Sequence, residues 1–115
     1  LIESKENMGP IEKPDASGYF RGRCGDNMQI DLRIQENTIT AAKFITDGCG
    51  ATIACGSMLT KMATQKTLTE AEQITPNDLM VELEGLPKDH EHCAELAVMT
   101  LREAIIDATD RRVGS

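Results

Sequence analysis

From Asn27 to Gln35 polar and apolar residues alternate without exception, Met28, Ile30, Leu32 and Ile34 standing against Asn27, Gln29, Asp31, Arg33 and Gln35. A period of two over that length defines a strand with one face on a core and the other toward solvent. Glu36-Asn37 follows as a two-residue turn, because Asn tolerates positive φ, and the β-branched run from Thr38 to Thr46 returns as the antiparallel partner. Gly18 to Arg23 is a candidate third strand. Leu1 to Ser17 carries Pro10 and Pro14 and no sustained period, which makes it a flexible arm.

After Gly50 the period lengthens. Ile53, Met58, Leu59 and Met62 have helical spacing, although Gly50 and Gly56 each weaken a helix by about 1 kcal/mol relative to Ala. Thr69 opens a short helical turn. Pro76, with Thr75 as N-cap and Leu79, Val81 and Leu83 behind it, begins another helix that Gly85 and Pro87 stop. The longest helix is expected from about Glu91 to Thr109, with Cys93, Leu96, Ala97, Leu101, Ala104, Ile105 and Ala108 on its buried stripe. Strands followed by helices predict an α+β fold, a small antiparallel three-stranded sheet with helices packed on one face. A length of 115 residues suits one domain. Its expected division is an arm over 1–17, the domain over 18–110 and a tail over 111–115.

The formal net charge of -7 argues against a nucleic-acid partner, which needs clustered Lys and Arg to displace counterions from phosphates, and against an anionic membrane surface. No apolar run approaches the roughly 20 residues a bilayer span requires, and nothing resembles a signal peptide. A soluble chain in the cytoplasm is the default expectation. Without a secretory segment, the four cysteines read as reduced thiols rather than as a disulfide framework.

Three of those cysteines occupy distinctive settings, Cys24-Gly25-Asp26, Gly48-Cys49-Gly50 and His92-Cys93. Cys24 falls in the turn between the first two strands, where Gly25 allows a sharp bend and Asp26 adds an oxygen donor. Cys49 falls at the strand-to-helix junction and Cys93 in the first turn of the long helix. Backbone amides and the dipole at a helix N-terminus favour a thiolate, so both are biased toward metal binding. The wide separation of the three differs from structural zinc sites and ferredoxin runs, which pair cysteines within a few residues. Such a ligand set is assembled by the folded domain, and three thiolates with one weaker ligand hold a metal less tightly than four thiolates.

These residues resemble the iron-sulfur cluster assembly scaffolds of the IscU type, equivalent to the N-terminal domain of NifU. The resemblance rests on Cys24-Gly25-Asp26-Asn27-Met28, Gly48-Cys49-Gly50-Ala51-Thr52-Ile53-Ala54, Gly85-Leu86-Pro87 and His92-Cys93-Ala94-Glu95-Leu96-Ala97, in family order and spanning about Asn7 to Thr109. It implies a SufE/NifU-like fold and a non-enzymatic scaffold that joins iron and sulfide into a [2Fe-2S] cluster and passes it to apo-proteins. Sulfur would come as persulfide from a cysteine desulfurase, and electrons from a ferredoxin-type donor. Carried over by motif, Cys24, Cys49 and Cys93 are the cluster thiolates. Asp26 is the labile fourth ligand or the release group, His92 the competing fourth ligand, and Cys93 the first persulfide acceptor. A cluster-bridged homodimer holding [4Fe-4S], and zinc as a substitute metal, are further implications. The family's Leu-Pro-Pro-Val-Lys stretch reads here Leu86-Pro87-Lys88-Asp89-His90, which argues against a dedicated Hsp70-type chaperone partner.

Other candidates have plainer readings. Cys55 stands six residues after Cys49, about 240° round a helix, and is expected to be a small buried hydrophobe. His90 reads as a solvated loop residue. Two alternatives belong to other classes: a zinc-stabilised structural or regulatory module, and a sulfurtransferase using Cys93 as nucleophile, for which neither histidine has an orienting acid in sequence.

Overall fold

The computed structural model describes residues 7–22, 25–48, 50–84 and 91–113, the side chains of 112 and 113 excepted. Three strands form an antiparallel meander in the order β1-β2-β3, with β1 spanning Ala16–Arg21, β2 Asn27–Gln35 and β3 Thr38–Thr46. Helices α1 (Gly50–Ala63), α2 (Leu68–Glu72), α3 (Pro76–Glu82) and α4 (Glu91–Val113) follow. The expected α+β layout is therefore the observed one.

Glu36 and Asn37 both take positive φ, 51° and 70°, which matches the right-handed twist of the flanking strands. The pairing slips between Arg33↔Ala41 and Ile34↔Ile39, leaving Thr40 as an extra residue whose hydroxyl donates to the Arg33 carbonyl. This bulge changes the parity of β3, so that Ile39 faces the core before it and Ala42 and Phe44 after it. With Ala16, Met28, Ile30 and Leu32 they make the inner face of the sheet.

α4 lies across β1 and β2, and α1 lies beside it on β3. All the expected stripe residues of α4 are buried, together with Ala94, Val98 and Thr100. Two glycines make the close approach possible. A Cβ on Gly18 would stand 2.2 Å from the Ala104 nitrogen, and one on Gly56 would stand 2.5 Å from the Phe44 ring. Gly56, a liability on propensity alone, is what lets α1 sit down on the sheet.

Among the described residues before Ala16 the arm has no regular element, yet it is fastened down. Phe44 donates its N–H to the Asn7 carbonyl and accepts from Gly9, which extends β3 on its far edge. The carboxylate of Asp31 was expected on the solvated face. It is buried under this arm instead, accepting from the Ile11 N–H at 3.1 Å, Ser17 Oγ at 2.8 Å and Gln29 Nε2 at 3.0 Å. Arg111 reaches the Asp15 carbonyl and pairs with Asp107, whose carboxylate accepts the Ser17 N–H.

Element ends differ modestly from expectation. β1 begins two residues before Gly18 and α4 continues past Thr109 to Val113. The short helix α2 is capped by Thr67 rather than opened by Thr69, because Thr67 and Glu70 form a reciprocal capping box. Thr75 caps α3 in the same way with Asp78, as expected of the first, while Gly85 and Pro87 lie outside the described residues. No described helix is long and apolar enough to cross a membrane.

Gly18→Ala should destabilise the fold by about 1–3 kcal/mol through overpacking against α4, measured as a lower urea midpoint at unchanged slope. The Thr67 backbone N–H holds Glu70 below its ordinary value of 4.5, helped by the Thr67 hydroxyl and Lys66 against a smaller desolvation effect. A carboxylate lowered on folding stabilises above the unfolded value, so this contribution is complete above pH 4.5 and is lost as pH falls through the folded value. Glu70→Gln should remove that part of the acid dependence, read by melting temperature across pH.

Candidate functional site

The register of β2 brings the site together. Its first residues pair as Arg21↔Asn27 and Met28↔Thr46, so the β1–β2 turn and the β3–α1 junction leave the same end of the sheet. Cys24 and Cys49 belong to these segments in sequence and lie outside the described residues, as does His90. Their flanks are described. Gly22 donates its N–H to the Asp26 carbonyl at 2.8 Å and accepts from Gly25 at 3.0 Å, closing a turn in which Gly25 has φ +87°. A side chain at that φ is strained, which is why glycine stands there.

The two segments are clamped to each other. The Asn27 N–H donates to Asp47 Oδ1 at 2.8 Å, and Asn27 Nδ2 donates to Asp47 Oδ2 at 2.9 Å. Thr46 Oγ1 donates to the Asn27 carbonyl at 2.6 Å and accepts the Gly48 N–H at 3.1 Å. The hydrogen bond from the Asn27 backbone, then that from its side chain, holds Asp47 below its ordinary value of 3.8, with Arg21 adding a smaller attraction. Asp47 is thus anionic at neutral pH, two residues before Cys49 in sequence.

Cys93 sits in the first turn of α4 and is fully buried. The Thr52 hydroxyl lies 3.3 Å from the Cys93 sulfur and 3.4 Å from Asp26 Oδ2. One hydroxyl of α1 therefore joins the expected oxygen donor to an expected thiolate. His92 is half-buried and lines a cavity of about 170 Å³ with Phe20, Gly22, Glu95, Leu96 and Met99. Gly22 starts the turn that carries Cys24, so the imidazole faces the same end of the domain. Among the described residues no three His, Cys, Asp or Glu side chains gather as a metal site. Cys55 is fully buried in α1 and packs in the core as expected.

Asn27, Asp47 and Thr52 had escaped the reading of the sequence. Asn27 opens one strand and Asp47 follows another, places where Asn and Asp ordinarily make local turns. Thr52 carried no signal beyond its place in the cysteine motif, because only the crossing of α1 and α4 sets it beside Cys93.

The α+β domain thus presents a buried thiol and a carboxylate beside one shared hydroxyl, at the sheet end from which the segments that carry two further cysteines in sequence leave. The comparisons name the family. The chain belongs to the NifU-like N terminal domain family, whose model matches residues 2–114. It is 43% identical over 107 residues to two iron-sulfur cluster assembly scaffold proteins IscU of Archaeoglobus fulgidus, covering 92% of this chain and 70% of theirs. It is 36% identical over 115 residues to the scaffold protein IscU of Escherichia coli, covering 96% of this chain and 89% of that one. In structure it resembles the N-terminal NifU-like protein of Brucella abortus, with a TM-score of 0.75 at 15% identity over 96% of this chain and 90% of that chain. A scaffold protein for the SUF system from Fervidobacterium islandicum gives 0.71 at 20% identity, over 90% of each chain. At such identities the structural likeness bears on the fold.

Asp47→Ala should loosen the frame rather than remove a ligand. Zinc(II) affinity, measured by competition with a chromophoric chelator, should fall by roughly 10-fold or more, the range seen when an orienting partner of a ligand is lost. Unchanged affinity would show that the clamp does not hold the site.

Proposed function

We propose that this chain is a scaffold that builds a [2Fe-2S] cluster from iron and desulfurase-derived sulfur and hands it to apo-proteins. The cluster is cargo. Cys24, Cys49 and Cys93 supply the thiolates, and Asp26 the labile fourth ligand, with His92 its competitor. The observation that carries this reading is the convergence of Asp26 Oδ2 and Cys93 Sγ on the Thr52 hydroxyl, at 3.4 and 3.3 Å. A carboxylate oxygen and a thiolate held together give a mixed donor set that binds iron and still releases it. The names of the relatives support the same reading.

In the sulfur step the Cys93 thiolate attacks the outer sulfur of the desulfurase persulfide. A new S–S bond forms at Cys93, the old one breaks, and the desulfurase thiolate leaves. Two electrons from a ferredoxin-type donor then cleave the Cys93 persulfide to sulfide and thiolate. A fully buried sulfur is out of a partner's reach, so docking of the desulfurase uncovers Cys93 before transfer. A dimer bridged by a [4Fe-4S] cluster, and zinc in place of the cluster, are further states of the same ligand set.

Protein purified without oxygen and incubated with iron, cysteine, a reductant and a cysteine desulfurase should gain iron and acid-labile sulfide in equal amounts, with visible charge-transfer bands. Asp26→Ala should keep the cluster and slow its transfer to an apo-ferredoxin severalfold. One retained zinc ion without sulfide would overturn the scaffold reading in favour of a zinc module. Persulfide transfer through Cys93 that ignores Cys24→Ser and Cys49→Ser would overturn it in favour of a sulfurtransferase.

A further inference from the structure

Thr52, Ser57, Thr60 and Thr100 are buried hydroxyl residues of α1 and α4. A helical threonine ordinarily turns its hydroxyl back to a carbonyl three or four residues earlier. Thr60 does so toward Gly56 and Ser57 at 2.8 and 2.9 Å, and Thr100 toward Leu96 at 2.6 Å. Thr52 stands in the first turn of α1, where the residue four earlier, Gly48, precedes the helix. Its hydroxyl reaches across the site, 3.3 Å from Cys93 Sγ and 3.4 Å from Asp26 Oδ2. The first distance is short for a sulfur acceptor, and the second is long for an oxygen acceptor. Gly48 leaves the space, since a Cβ there would lie 2.7 Å from Thr52 Oγ1.

A hydroxyl has one proton, and both Cys93 Sγ and Asp26 Oδ2 lie within its reach. We propose that Thr52 is a positioning residue of the cluster site: its hydroxyl donates to the Cys93 sulfur, Asp26 competes for that proton, and a metal ion that engages Asp26 shifts the hydrogen bond toward the sulfur. The inference rests on the assignment of Cys93 and Asp26 as ligands. A thiolate that accepts a hydrogen bond donates less charge to its metal, which is how partners around a ligand tune the centre they surround. Thr52 would thus weaken the Cys93–metal bond while keeping the sulfur in place, which suits cargo that has to leave.

Cobalt(II) alone tests this at one fixed pH, because the thiolate-to-cobalt charge-transfer band reports sulfur donor strength without cluster assembly. Thr52→Val keeps the shape and removes the donor. Thr52→Ser keeps the donor and loses the methyl group. The band should move to lower energy in Thr52→Val and in Thr52→Ala, and stay at the wild-type position in Thr52→Ser. If Thr52 merely fills space, Thr52→Ser departs and Thr52→Val does not, which overturns the inference and leaves the ligand assignment standing. A wild-type complex with no thiolate-to-cobalt band overturns the ligand assignment and the inference with it. Far-UV circular dichroism checks that each variant is folded, and the Ala and Ser pair carries the same contrast if Thr52→Val does not fold.

Discussion

The register of β2 is the constraint on which the site depends. A strand paired antiparallel on both sides brings the end of each neighbour to its own start, and here those neighbours end at Arg21 and Thr46 beside Asn27 and Met28. Two chain segments that each carry a cysteine in sequence must then leave the sheet at one end. A register slip of a single residue would also reverse the inner and outer faces of β2, moving Met28, Ile30 and Leu32 to solvent. The burial that drives folding and the alignment that makes the site are consequently fixed by one pairing.

Hydrophobic burial could not set that end of the molecule alone, because hydrophobic contact is non-directional. Direction comes from the clamp of Asn27 on Asp47 and from Thr46 bridging Asn27 and Gly48. In the two bonds from Asn27 the acceptor is the Asp47 carboxylate, which makes them stronger than bonds between neutral groups. They involve none of the expected ligands. The arm performs a similar service on the outer face of the sheet, where Asp31 is buried with three donors rather than left as an unpaired charge.

Much of this was legible in the sequence because it is periodic or locally encoded. The alternation of β2, the Glu36-Asn37 turn, the Thr75-Pro76 start of α3 and the buried stripe of α4 all express a repeat or a cap within a few residues. What escaped is non-local. The bulge at Thr40 depends on how β3 meets Arg33, and the value of Gly56 depends on a Phe44 that lies on another element. Thr67 capped α2 in place of Thr69 because reciprocal bonding with Glu70 outweighs the choice between two threonines. At the site, the cysteine motifs pointed to Asp26, His92 and Cys93, but nothing along the chain announced that Thr52 would stand between Asp26 and Cys93.

A carrier of a labile cluster faces opposed demands, since a rigid site holds its cargo and a soft one loses its shape on release. The arrangement here separates the two. Rigidity resides in backbone-anchored bonds around Asn27, Thr46 and Asp47 and in the tight seat of α4 on Gly18. On the proposed ligand assignment, softness would reside in one hydroxyl that stands close to a sulfur and at the outer limit of a hydrogen bond from a carboxylate. With Cys93 as the proposed ligand, moving the hydroxyl proton would change the donor strength of that sulfur without moving a backbone atom. On the proposed function, cargo would then leave while the bonds that frame the site stay in place.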